Sequence, residues 1–262
     1  MSELDPLAGP QGPLPPEPPI EVMAAVEDQP PRRDPFWTWG DFFIFVFLLI
    51  PCFVVSELTT VAVLALLHVK HANIVVTAIP AQFLGYALSL LALWLLLKTR
   101  YQAPFWRSLG WRWEGALAIP MAAGGVGLAV AVAMISVALK TKPVKSPLEE
   151  ALNDPASALA LAFFAVTLGP VCEELLFRGL LQPLAVRSFG VIAGIVTAAV
   201  PFALLHGPQY MWSWQHVVLI LLAGCMFGLT RYKTGSTALA ACMHAGYNFT
   251  FFALVIFQRG IL

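Results

Sequence analysis

Glu173, Glu174 and Arg178 lie inside one of the longest apolar stretches of the chain, Val171-Cys172-Glu173-Glu174-Leu175-Leu176-Phe177-Arg178-Gly179. A charged side chain at mid-bilayer costs from about 2.5 to more than 10 kcal/mol, so charges retained together in such a segment point to use. Adjacent helical positions project about 100° apart, so Glu173 and Glu174 are not expected to share one task. Glu174 and Arg178 are four apart in the favourable Glu-before-Arg order, which predicts a buried ion pair. Glu173 is then free to face a cavity, where a poorly solvated carboxylate can serve as a general base. The blander reading is that all three tie helices together.

Two further segments carry chemistry-bearing residues. Phe202 and His206 share one helical face, although a lone histidine at a helix end is more often packed or interfacial than catalytic. His244 and Asn248 are four apart and project together. Imidazole and carboxamide can both donate to one oxygen, as a tetrahedral oxyanion requires, and Ala245 and Gly246 would leave room beside them. Depth tests whether the groups can meet. At 1.5 Å per residue, Glu173 is about 21 Å from Arg187, His206 about 22 Å from the start of its span, and His244 about 15 Å from Thr234, all counted from one side. The three are therefore expected at comparable depth.

The elements that must position them are membrane helices. The 262 residues are 59% hydrophobic and 11% charged, against about 25% charged in a soluble domain. Apolar runs longer than about 18 residues predict an all-α, polytopic transmembrane bundle of about seven spans (seven to eight), with a polar intramembrane cavity among the last four. Alternating ten-residue segments of a membrane barrel are not seen. Net charge is zero, which offers no basic footprint for nucleic acid. Cys52, Cys172, Cys225 and Cys242 are scattered in apolar segments and read as small packing residues.

Residues 1–35 are proline-rich and acidic and read as a disordered tail. They lack the pattern of a signal peptide, so the first span is expected to direct insertion. Residues 36–262 read as the membrane-embedded domain. The expected spans are 42–67, 74–97, 115–139, 155–187, 191–206, 215–229 and 238–257. Phe36-Trp37-Thr38-Trp39 and the tryptophans Trp106, Trp111 and Trp113 look interfacial. Glu57, within the first span, reads as a buried glutamate bonded to a neighbouring helix. Gly124, Gly125 and Gly127 would let another helix approach closely. Asp154 and Pro155 suit an N-cap and first turn, and Pro170, one turn before the Glu pair, should bend its helix. His68 and His71 read as loop residues, His216 as interfacial, and Arg231 and Lys233 as positive-inside anchors. Lys98, Arg100, Arg107 and Arg112 favour a cytoplasmic N-terminus, against the opposing cluster Lys140, Lys142 and Lys145.

Glu173-Glu174-Leu175-Leu176-Phe177-Arg178 resembles the EExxxR motif of the CPBP family, the CAAX-protease and bacteriocin-processing intramembrane proteases, also called the Abi family. Phe202 to His206 resembles its FxxxH motif and His244 to Asn248 its HxxxN motif, in the family's order. The likeness covers about residues 155–257, the expected catalytic core; the first three spans match only as generic membrane helices. The resemblance implies a multi-pass membrane peptidase, similar to type II CAAX prenyl endopeptidases, in a bacterial-type inner membrane. It implies that Glu173 and His206 activate water, that His244 and Asn248 hold the oxyanion, and that Glu174 and Arg178 are structural support, with Phe202 beside them. The substrate would be a membrane-associated peptide or protein, a prenylated CAAX tail being one option. No cofactor is expected. Glu173, His206 and His244 could by type form a zinc site, but there is no HExxH and the resemblance points to a metal-independent glutamate peptidase. Two rivals stand beside this reading. One is a non-catalytic immunity or scaffold protein using the same cluster for packing or partner binding. The other is a proton-coupled transporter using Glu173, which the absence of a sequence repeat disfavours.

Overall fold

A computed structural model of the chain describes residues 34–69, 73–145 and 150–261. Most of the expected tail, residues 1–33, and His71 lie outside the described residues. Among the described residues there are helices and no strands: α1 Trp39–Leu66, α2 Ile74–Tyr101, the short α3 Phe105–Ser108, α4 Gly115–Ala138, α5 Pro155–Val166, α6 Leu168–Glu174, a π-helical segment Leu175–Leu181, α7 Gln182–Phe189, α8 Val191–Leu205, α9 Trp214–Thr234 and α10 Thr237–Gln258. Counting Pro155–Phe189 as one run, six helices are long and apolar enough to cross a membrane. The shorter apolar α8 makes the seventh, so the chain is a polytopic helical bundle. The 15 residues of α8 reach about 22 Å, short of a hydrocarbon core of about 30 Å, and His206 caps its C-terminal end.

The entry to α1 is closed by a capping box. The Thr38 hydroxyl accepts from the Asp41 N–H, and the Asp41 carboxylate accepts from the Thr38 N–H. Asp41 also accepts from Tyr101 and pairs with Arg100 at 2.9 Å, which ties the end of α2 to the start of α1. Trp37 is buried, and its indole N–H donates to the Leu180 carbonyl at 3.1 Å. Glu57 is not buried as expected. The covered stripe of α1 carries Phe45, Ser56 and Thr60, and Ser56 donates to the Ala81 carbonyl of α2. Position 57 points about 100° from 56 and is exposed.

The run that carries the Glu pair is broken. Asp154 caps α5 by accepting from the Ser157 N–H, with Pro155 in the first turn, as its residue types predict. The helix then departs from α geometry at Thr167 (φ −114, ψ −79). Pro170 is the reason: without an N–H it cannot bond the Val166 carbonyl, and its ring crowds that carbonyl. After Glu174 the backbone widens into the π segment before α7 resumes.

Glycines set the position of α10, the helix of His244. A Cβ on Gly125 of α4 would lie 2.0 Å from the Met243 carbonyl oxygen, and one on Gly246 would lie 2.1 Å from the Ala122 carbonyl oxygen. The two helices therefore cross backbone to backbone, as small residues permit. Gly246 does not leave open room beside His244, contrary to expectation, because α4 fills it. Nothing lies within 4 Å of a Cβ at Gly127. Gly125→Val is expected to cost at least about 1–3 kcal/mol through overpacking, and Gly127→Val close to nothing. Thermal unfolding of the detergent-solubilised variants, followed by tryptophan fluorescence, checks the contrast.

Candidate active site

Glu174 is fully buried at the end of α6, and Arg178 is fully buried within the π segment. Arg178 Nη1 donates to Glu174 Oε1 at 2.9 Å. The other end of the guanidinium, Nη2, donates to the Gly224 carbonyl of α9 at 2.7 Å. Its face lies over Phe202 at 4.5 Å and Phe227 at 5.4 Å. These contacts replace the hydration that burial removed, each ring contributing about 0.5–2 kcal/mol. One turn on, Gln182 repeats the device, donating from Nε2 to the Gly228 carbonyl at 2.8 Å. Arg178 and Gln182 thus grip two α9 carbonyls that are also one turn apart, at glycines where the helices approach closely.

Glu174 is more than the counterion of Arg178. Its Oε1 also accepts from His244 Nδ1 at 3.0 Å. That bond places the Nδ1 proton and turns Nε2 the other way. Nε2 then faces Glu173 Oε2 at 3.9 Å, beyond hydrogen-bond length but within the same small space. The two glutamates diverge by about 100° on their own helix, yet both reach one imidazole, from its opposite nitrogens. Phe227 stacks on the His244 ring (4.5 Å, 19°) and Phe202 meets it edge-on (5.7 Å, 80°), so the ring has little freedom to turn.

Glu173 is partly accessible, its side chain 15% exposed. Its Oε1 accepts from the Tyr86 hydroxyl of α2 at 2.8 Å. Tyr86 did not stand out in the sequence: a single tyrosine in an apolar span carries no motif, and its depth alone hinted at a partner. The polar cluster therefore draws on α2 as well as on the last four spans.

His206 occupies the C-cap of α8, half-buried, with Nδ1 donating to the Phe202 carbonyl at 2.8 Å. The His206 backbone N–H bonds Ala203 instead, which leaves the Phe202 carbonyl for the side chain. With the proton on Nδ1, Nε2 presents its lone pair outward. The ring lies 4.7 Å from that of Phe202, which also touches His244, so Phe202 is the apolar wedge between the two histidines. His206 makes no hydrogen bond to Glu173, His244 or Asn248.

Asn248 meets a backbone group of another helix. Its Nδ2 donates to the Ala165 carbonyl at 2.7 Å, in the turn that precedes the break at Thr167. One amide N–H is thereby committed to a backbone group, and the second is left for other acceptors. His244 and Asn248 share a face of α10, but each already holds part of the broken run: His244 through Glu174, Asn248 through Ala165. Among the described residues, no three or more His, Cys, Asp or Glu side chains are grouped as a metal site would require. Glu173 and His244 approach each other at 3.9 Å, while the hydrogen bond of His206 goes to the Phe202 carbonyl. The four cysteines are partly buried free thiols.

Asn248, His244, His206, Arg178, Glu174 and Glu173 all fall within one comparison. No curated protein and no solved structure matches the chain. Residues 155–250 match the family model described as Type II CAAX prenyl endopeptidase Rce1-like, which points to a protease of the membrane. Over those residues, rather more than a third of the chain, the sequence is similar to the Rce1-like type II CAAX prenyl endopeptidases, in line with the resemblance of its three motifs.

Proposed function

We propose that the protein is an intramembrane endopeptidase that hydrolyses a peptide bond near the membrane by glutamate-activated water. The observation that carries this reading is the disposition of Glu173: one carboxylate oxygen is held by Tyr86, and the other faces His244 from a partly accessible position. A water held between Glu173 Oε2 and His206 Nε2 would give its proton to Glu173 as its oxygen bonds to the carbonyl carbon. The carbonyl π electrons move to oxygen. On collapse the C–N bond breaks, and the departing amine takes the proton from Glu173.

His244 and the second N–H of Asn248 are assigned to the developing oxyanion. Glu174 Oε1, 3.0 Å from Nδ1, holds the ring so that Nε2 is turned toward the site. Glu174, Arg178 and Phe202 hold His244 and His206 in place. We assign no metal to the reaction; a zinc at Glu173, His206 and His244 is the alternative, and it would require His206 to join the other two. The family match supports a membrane-associated protein as the substrate class, a prenylated CAAX tail among the options. We place the N-terminus on the cytoplasmic side of a bacterial-type inner membrane, following the Lys and Arg distribution.

A non-catalytic immunity or scaffold role is favoured by one observation: Asn248 and Glu174 are both engaged in packing bonds. The two readings separate on Glu173. With a quenched-fluorescence peptide carrying a farnesylated CAAX tail, presented in liposomes, Glu173→Gln is expected to lower turnover by about 10²–10⁴-fold while the melting temperature holds. Unchanged turnover in that variant would sink the peptidase reading. Turnover by the wild type is expected to persist after dialysis against a strong chelator; loss on dialysis, restored by zinc, would favour the metal alternative.

A further inference from the structure

Glu173 has two carboxylate oxygens, and a base needs one of them free. Tyr86 decides which. It lies near the middle of α2, outside the residues that match the family model. Its hydroxyl donates to Glu173 Oε1 at 2.8 Å and accepts from Gln82 Nε2 at 2.9 Å, one turn earlier on the same helix. The phenol therefore both donates and accepts. An ionised carboxylate has no hydrogen to donate, so the bond to Glu173 is the phenol's donation. The ring is held as firmly as the hydroxyl: Phe164 of α5 stacks on it (6.2 Å, 8°), Phe53 of α1 meets it edge-on (6.3 Å, 83°), and the residue is only 8% exposed.

A carboxylate at a helix surface has several rotamers, and its two oxygens exchange places by a half-turn of the last torsion. A donor fixed in space removes that freedom. With Oε1 tied to Tyr86, Oε2 is the oxygen turned toward His244. Among the described residues, Oε2 accepts no hydrogen bond from the protein, whereas one of the two acceptor sites of Oε1 is already taken by the phenol. We infer that Tyr86, backed by Gln82, is a positioning residue: it clamps Glu173 through Oε1 so that Oε2 alone receives the proton of the attacking water. The helix before the matched segment thus supplies a part of the site. This inference rests on Glu173 acting as the base. It adds no covalent step, since the phenol keeps its proton throughout.

Tyr86→Phe removes the hydroxyl and keeps the ring with both aromatic contacts. With the farnesylated peptide in liposomes, kcat is expected to fall about 10–100-fold, with KM within about twofold. Gln82→Leu, which leaves Tyr86 in place, is expected to lower kcat about 3–10-fold in the same pattern. In a Glu173→Gln background, Tyr86→Phe should change nothing further, because there is no base left to aim. The infrared carboxylate band of Glu173, assigned by its loss in Glu173→Gln, is expected to move in Tyr86→Phe without substrate present. An unmoved band, or full kcat in Tyr86→Phe while Glu173→Gln is inactive, overturns the role of Tyr86 and leaves the peptidase reading intact. Wild-type turnover in Glu173→Gln overturns both.

Discussion

The fully buried Glu174–Arg178 pair is the contact on which the remaining geometry depends. Removing one partner of a buried ion pair typically costs about 3–5 kcal/mol, because the other charge is left without compensation. Here the compensation extends well past the pair. Arg178 reaches a backbone carbonyl of α9 and the faces of Phe202 and Phe227, and Glu174 takes the Nδ1 proton of His244. One ion pair thereby sets the relative positions of α6, α9 and α10, and the ring Phe202 links them to α8. The histidine that faces Glu173 can do so only because Glu174 holds it from behind.

Around that contact the bundle satisfies backbone that its own helices leave open. In an apolar environment every carbonyl needs a donor, so a broken helix is tolerated only where other groups supply one. Asn248 donates to Ala165 beside the break at Thr167, and Trp37 donates to Leu180 within the π segment. His206 donates to the Phe202 carbonyl at the end of α8. The interruptions bring the Glu pair to its depth and aim, and the side chains that repair them include two of the residues assigned to the chemistry. In the proposed reaction, support and chemistry therefore fall to some of the same residues.

Much was legible from pattern alone. Long apolar runs and interrupted polarity predict the helical bundle and place its helix ends within a few residues, since hydropathy and helical rise are local properties. The Glu174–Arg178 pairing follows from i,i+4 spacing, and the Asp154–Pro155 helix start from capping chemistry. The extent of α9, through Thr234, was underestimated because Arg231, Tyr232 and Lys233 look like a turn but continue the helix past the apolar window. Glu57 is exposed against expectation because residue type does not tell which face of a span meets a neighbour.

Which groups must be spent on the fold and which remain free for chemistry was a tertiary decision. Nothing in the order of residues shows that His244 is bonded by Glu174 and faced by Glu173, that Gly246 meets Ala122, or that Asn248 serves a carbonyl on another helix. Least visible of all was Tyr86, whose significance arises only when α2 comes to lie beside α6. Local sequence determined the helices, their caps and their depth, because those depend on neighbours a few residues away. The orientation of Glu173, and the choice of its free oxygen, depend on a phenol 87 positions earlier in the chain, and only packing of the helices could bring the two together.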